Sequence, residues 1–177
     1  MKLFKAIGFG IASIIAVGSP AVTAEELDFT PGFYLVATAG ETTIDYTSSL
    51  KLGGNGYAIG AGYDVNKYVA IEAQLNNYFD YTVNGDNYSV TGTSFRGLLR
   101  YPLGSWAPFI GYTFASAQDT LTVNSTTYTG AGTLSGVSVG FEVAMTETLA
   151  LRFITDSLET DTAVEATVSQ LGIVARF

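Results

Sequence analysis

Between Tyr57 and Val65 the chain alternates: Tyr57, Ile59, Ala61, Tyr63 and Val65 occupy one parity, and Ala58, Gly60, Gly62 and Asp64 the other. A period of two puts successive side chains on opposite faces of a strand, so one face is apolar and the other small or polar. The pattern recurs with Val69, Ile71, Ala73 and Leu75 against Tyr68, Ala70, Glu72 and Gln74. It returns in Val137, Val139, Phe141 and Val143 against Gly136, Ser138, Gly140 and Glu142, and in Leu149, Leu151 and Phe153 against Ala150, Arg152 and Ile154. The last segment sets Leu171, Ile173, Ala175 and Phe177 against Gln170, Gly172, Val174 and Arg176. Residues 32–40, 93–101 and 108–116 bring the predicted strands to eight. In the second of these, Phe95, Leu99 and Tyr101 oppose Ser94, Arg96 and Arg100. In the third, Ile110, Tyr112 and Phe114 share a face, but Phe109 on the other leaves the register open.

The connections alternate in length. Residues 66–67, 102–107 and 146–148 are short, whereas 41–56, 78–92, 117–133 and the shorter 157–164 are long and polar. The predicted fold class is therefore all-β: an eight-stranded antiparallel up-and-down transmembrane barrel, its short turns periplasmic and its long loops outside. Strands of about 9–11 residues suit a tilted crossing of the bilayer. A soluble lipocalin-like barrel would turn its apolar face inward and its polar face to water. The Gly, Ala and Ser on the polar parity oppose that reading, because they fit a narrow filled interior better than a wetted surface.

The first two dozen residues follow a different rule. Lys2 and Lys5 precede an apolar run from Ala6 to Val17, Gly18-Ser19-Pro20 breaks it, and Val22-Thr23-Ala24 places small residues before Glu25. This is the layout of a secretory signal peptide, and the apolar run is shorter than the about 20 residues a membrane helix needs. Residues 1–24 are expected to be removed and residues 25–177 to form the barrel domain.

Composition then closes off several chemistries. The 177 residues contain no Cys and no His, but 20 Gly, 11 Tyr and 11 Phe. Disulfides and thiolate sites are excluded, and the usual general base and commonest transition-metal ligand are missing. All sixteen acids but only six of the eight bases lie after residue 24, which makes phosphate-neutralising binding to nucleic acid unfavourable. Gly53-Gly54-Asn55-Gly56 lacks phosphate-loop spacing, and Asn84-Gly85-Asp86 reads as a turn. An acid-pair glycosidase needs two carboxylates placed across one bond, and nothing in the sequence places them. No catalytic residue, cofactor or metal site is expected.

The segments 57–75, 136–153 and 171–177 resemble the small eight-stranded outer-membrane β-barrels of OmpA/OmpX type, the porin-family β-barrel domain. The likeness covers nearly all of residues 25–177. It implies that Leu171, Ile173 and the terminal Phe177 form the signal read by the barrel assembly machinery, with Ala175 departing from the aromatic often found there. Lipid-acyl enzymes and omptin-type proteases among such barrels rely on a His, which this chain lacks.

The inward parity carries the candidate site. Asp64, Glu72, Glu142 and Asp156 are expected inside the barrel with Arg96, Arg100, Arg152 and Arg176. A charge in a narrow lumen costs several kcal/mol, about, unless paired, so four acids against four bases predict a lumen filled by paired charges. The alternative is a narrow porin or channel lined by the same groups. Strands flanking Thr146-Glu147-Thr148 place Glu142 opposite Arg152 if they pair about Glu147. Most of the other acids, Glu41, Asp45, Asp80, Asp86, Asp119, Glu159, Asp161 and Glu165, fall on the long connections and their ends. The expected role is structural or a cell-surface interaction. Expected partners are outer-membrane lipid, lipopolysaccharide and a surface ligand or host factor met by the loops.

Overall fold

The computed structural model describes residues 29–47, 50–83, 86–123, 125–160 and 164–177. Eight strands run in chain order: β1 Gly32–Thr47, β2 Leu50–Asn66, β3 Val69–Val83, β4 Asp86–Arg100, β5 Trp106–Val123, β6 Thr126–Ala144, β7 Leu149–Thr160 and β8 Glu165–Arg176. Each pairs antiparallel with its neighbours, and β1 pairs with β8 to close the barrel. The proposed leader, Glu25, and the hairpin tips at 48–49, 84–85, 124 and 161–163 lie outside the described residues.

Closure fixes a stagger. Partners followed from Tyr34 through Gly62, Glu72, Arg96, Thr113, Gly136, Leu158 and Ala166 return to β1 at Ile44, ten residues further along. A shear of this size tilts the strands and leaves an interior that side chains can fill.

The alternation sorts the two faces. Phe33, Leu35, Ile59, Leu75, Phe95, Leu99, Ile110, Phe114, Leu171 and Ile173 are large apolar side chains that point outward and stay exposed. In water such a surface would drive aggregation; in a bilayer it is the solvated face. Ring pairs such as Phe33–Tyr63 and Tyr112–Phe114 pack edge to face with centroids 5.0 and 4.9 Å apart. Register is settled for β5: Ala107, Phe109, Thr113 and Ala115 are buried, and Ile110, Tyr112 and Phe114 face outward.

Two expectations about connections are corrected. The segments 41–56, 78–92 and 117–133 are not loops: most of each continues as paired strand beyond the apolar band, and residues 157–160 likewise belong to β7. Their Thr, Tyr and Val residues fit a pleated hairpin, so polarity there marks strand leaving the lipid rather than strand ending. The segment 102–107 is also shorter than expected, because Trp106 and Ala107 already belong to β5.

Each short turn is built by local polar groups. The Asn66 side-chain oxygen accepts from the N–H groups of Tyr68 and Val69 at 2.8 and 3.0 Å. The Thr146 hydroxyl oxygen accepts from Thr148 and Leu149 at 3.3 and 3.0 Å, and Gly104 supplies the positive φ of 69° that the β4–β5 turn needs.

The tip end is uneven. β6 pairs with β5 as far as Val123↔Thr126, but its last described partner on β7 is Leu134↔Thr160. Among the described residues, 126–133 are therefore paired on one side only.

Candidate lumen charge network

Burial inside the barrel is divided into two storeys. Toward the tips, Ile44, Tyr78, Phe79, Val90, Ala115, Leu158, Ala166 and Val168 form an apolar plug. A bulge in β3 between Asn77 and Phe79 turns both Tyr78 and Phe79 inward, so one strand contributes two adjacent rings. Toward the termini lie Phe29, Tyr34, Leu98, Phe109 and Ile154 with the charged groups among them.

The inward glycines make room for those rings. A β-carbon on Gly62 would lie 2.5 Å from the Tyr34 hydroxyl, and one on Gly140 would lie 2.6 Å from the Phe109 ring. Neither ring could keep its place beside a larger residue.

Among the described residues, the buried charged side chains are Asp64, Glu72, Arg96, Arg100, Glu142, Arg152, Asp156 and Arg176. Seven ion pairs join them into one unbranched chain of alternating sign. Asp156 meets Arg96 at 2.6 Å, and Arg96 meets Glu72 at 3.3 Å. Glu72 meets Arg152 at 2.5 Å, and Arg152 meets Glu142 at 2.5 Å. Glu142 then pairs with Arg176, Arg176 with Asp64 at 3.1 Å, and Asp64 with Arg100 at 2.6 Å. The chain draws on six of the eight strands and its formal charge is zero.

Hydrogen bonds fix most of the links. Arg152 donates from Nε and Nη2 to Glu142 Oε1 at 3.0 and 2.5 Å, and from Nη1 to Glu72 Oε1 at 2.5 Å. Tyr34 donates to that same Glu72 oxygen at 2.6 Å, and Gln74 to the other at 3.1 Å. Arg96 Nε donates to the Thr113 hydroxyl at 2.8 Å, which lies 2.7 Å from the Ser138 hydroxyl. The Arg100–Asp64 contact is different in kind, because its nitrogens are off the hydrogen-bonding direction. Arg100 instead stacks 4.8 Å over the Phe29 ring, which Arg176 also covers at 4.6 Å. Phe29 thus closes the terminal end of the lumen.

Sequence reasoning places the charges but not their neutral supports. Tyr34 shares the inward parity of β1 with Val36 and Thr38, and that parity was the available signal. Phe29 precedes β1, where no periodicity applies. Leu171, Ile173 and Phe177 all face outward, and the Phe177 N–H donates to the Phe33 carbonyl at 3.1 Å. Among the described residues no group of three or more carboxylates is positioned for a metal.

Comparison with known proteins agrees with this architecture. The family profile described as outer membrane protein beta-barrel domain matches residues 9–177. No curated protein sequence matches the chain. Among solved structures, Neisserial surface protein A is similar with a TM-score of 0.71 at 16% identity, covering 82% of this chain and 97% of that one. Ail of Yersinia pestis, solved with the heparin analogue sucrose octasulfate, gives 0.65 at 9% identity over 83% and 99%. The N-terminal barrel of Pseudomonas aeruginosa OprF gives 0.60 at 15% identity over 84% and 100%. At these identities the likeness concerns the fold.

Proposed function

Since the chain belongs to the outer membrane protein β-barrel domain family, we propose that it serves in the Gram-negative outer membrane as a structural or surface-interaction barrel with a blocked lumen. The observation that carries this is the unbroken eight-membered charge chain beneath an apolar plug. Every charge has an opposite neighbour, so a permeating ion would have to replace a paired, desolvated partner. Such a replacement costs several kcal/mol, about.

In this reading residues 1–24 are removed on export, and the barrel assembly machinery inserts residues 25–177 by way of Leu171, Ile173 and Phe177. The termini and short turns face the periplasm, and the hairpins stand outside among lipopolysaccharide. There they meet a surface ligand or host factor. The reading is non-catalytic: no histidine is available to pair with a nucleophile. The sulfated ligand of Ail is a poor guide here. Seven acids but only Lys51 lie on the hairpin segments, and such a surface repels polyanions.

Single-channel recording of the refolded protein in planar lipid bilayers tests the proposal. No conductance steps are expected. Reproducible steps that respond to substitution of Glu72 or Arg152 would overturn it in favour of a narrow porin.

A further inference from the structure

Among the described residues, the longest hairpin, β5–β6, presents an open strand edge beside a carboxylate. Residues 126–130 are bonded to β5 from Val123↔Thr126 to Asp119↔Gly130, while among the described residues the pairing with β7 begins at Leu134. Natural edges are usually protected by a charge, a proline or a bulge. The run Thr126-Thr127-Tyr128-Thr129-Gly130 has no charge and no proline, and no register shift occurs along it. It is a regular template for another strand.

The inner face of this edge is chemically selective. β5 turns its odd positions inward and β6 its even ones, so Asp119, Leu121, Tyr128 and Gly130 share the concave side. Tyr128 is 61% exposed and Leu121 37%. Gly130 has no side chain, and the Asp119 carboxylate lies across the vacated position: a β-carbon there would be 3.0 Å from Asp119 Cγ. Among the described residues Asp119 has no ion pair. Its charge therefore reaches over β6 toward the unpaired edge, next to an exposed tyrosine ring.

We propose that residues 126–130 of β6 accept an extended polypeptide segment as an added strand, and that Asp119 and Tyr128 select one carrying a basic side chain opposite Gly130. An added strand would lie about 4.7–4.9 Å beyond β6, so its inward side chain opposite Gly130 meets no intervening side chain before Asp119. A lysine or arginine there gains the carboxylate and the face of Tyr128 together. Main-chain bonds supply the affinity and the side-chain pocket the specificity, as in strand addition generally. The acid excess on the hairpins favours the same sign of partner. The proposal rests on the surface-interaction reading above and names its partner class.

The test uses the mature barrel in lipid nanodiscs and three fluorescein-labelled nonapeptides, read by fluorescence anisotropy. One alternates Thr with Lys, one Thr with Glu, and one is the Thr–Lys peptide with prolines in the threonine positions. The Thr–Lys peptide is expected to bind, the other two to bind far more weakly. Asp119→Asn should lower its affinity about fivefold at low ionic strength, the size of an exposed ion pair, and Asp119→Glu should restore it. Unchanged barrel migration on unheated gels would show that both variants fold. Equal binding of the Thr–Glu or proline peptide, or no binding of any, would overturn the proposal. Capture of lipopolysaccharide in preference to the Thr–Lys peptide would also overturn it. A conducting pore with intact, Asp119-dependent peptide binding would sink only the blocked-lumen reading, so the two failures are distinct.

Discussion

Glu142 and Arg152 are register partners on β6 and β7, and two nitrogens of Arg152 converge on a single oxygen of Glu142. That leaves the other Glu142 oxygen for Arg176 and the remaining Arg152 nitrogen for Glu72. Each residue therefore joins two others, and removing either cuts the chain in the middle. Glu142→Ala or Arg152→Ala alone is expected to cost about 3–5 kcal/mol by stranding a buried charge. The double substitution should cost less than the sum by about 1–3 kcal/mol. Urea unfolding in lipid vesicles, run as a double-mutant cycle, measures that coupling.

Gly62 gives an independent check on how tightly the lumen is filled. Its absent side chain is the space taken by the Tyr34 ring, whose hydroxyl bonds Glu72. Gly62→Val should displace the ring, break that bond and destabilise the barrel by about 1–3 kcal/mol. Gly97 faces outward with nothing within 4 Å of a β-carbon. Gly97→Val should be close to neutral in the same unfolding experiment.

The assembly role proposed for the closing strand can be tested apart from stability. Phe177 is 82% exposed and contributes one backbone bond to the barrel seam. Phe177→Ala should therefore leave the stability of refolded protein nearly unchanged while lowering the amount of barrel found in outer-membrane fractions. Equal loss in both measurements would point to a structural role instead. Mass spectrometry of the same fractions is expected to find Glu25 as the first residue.

Orientation can be tested by labelling. A cysteine introduced at Asn66, in the short β2–β3 turn, should resist an impermeant maleimide on intact cells and react after the outer membrane is breached. One introduced at Ser125, in the β5–β6 turn, should react on intact cells. The strand pairing from Ala117↔Gly132 to Val123↔Thr126 further predicts that external protease leaves these two stretches uncut.

Much of this architecture is legible along the chain because a bilayer imposes one rule on every strand: outward residues meet lipid and inward residues meet one another. Alternation in β2, β3, β4, β6, β7 and β8 therefore reveals strand, face and the identity of the inward charges. Even the Glu142↔Arg152 register follows, since a short turn ties two adjacent strands together. The same rule loses its force above the lipid. Water on both faces removes the reason to alternate, so 117–133 reads as a polar loop although it is a paired hairpin.

Other features were decided only by closure. Arg152 is ten residues from Glu142 but eighty from Glu72, and Arg176 is 112 from Asp64. Which acid meets which base across the lumen depends on the ten-residue stagger, a property of all eight strands jointly. Phe29 covering Arg100 and Arg176, and Asp119 reaching over Gly130, are of the same kind. Periodicity assigns a residue to a face, but the partners it meets there are set by the shape of the closed sheet.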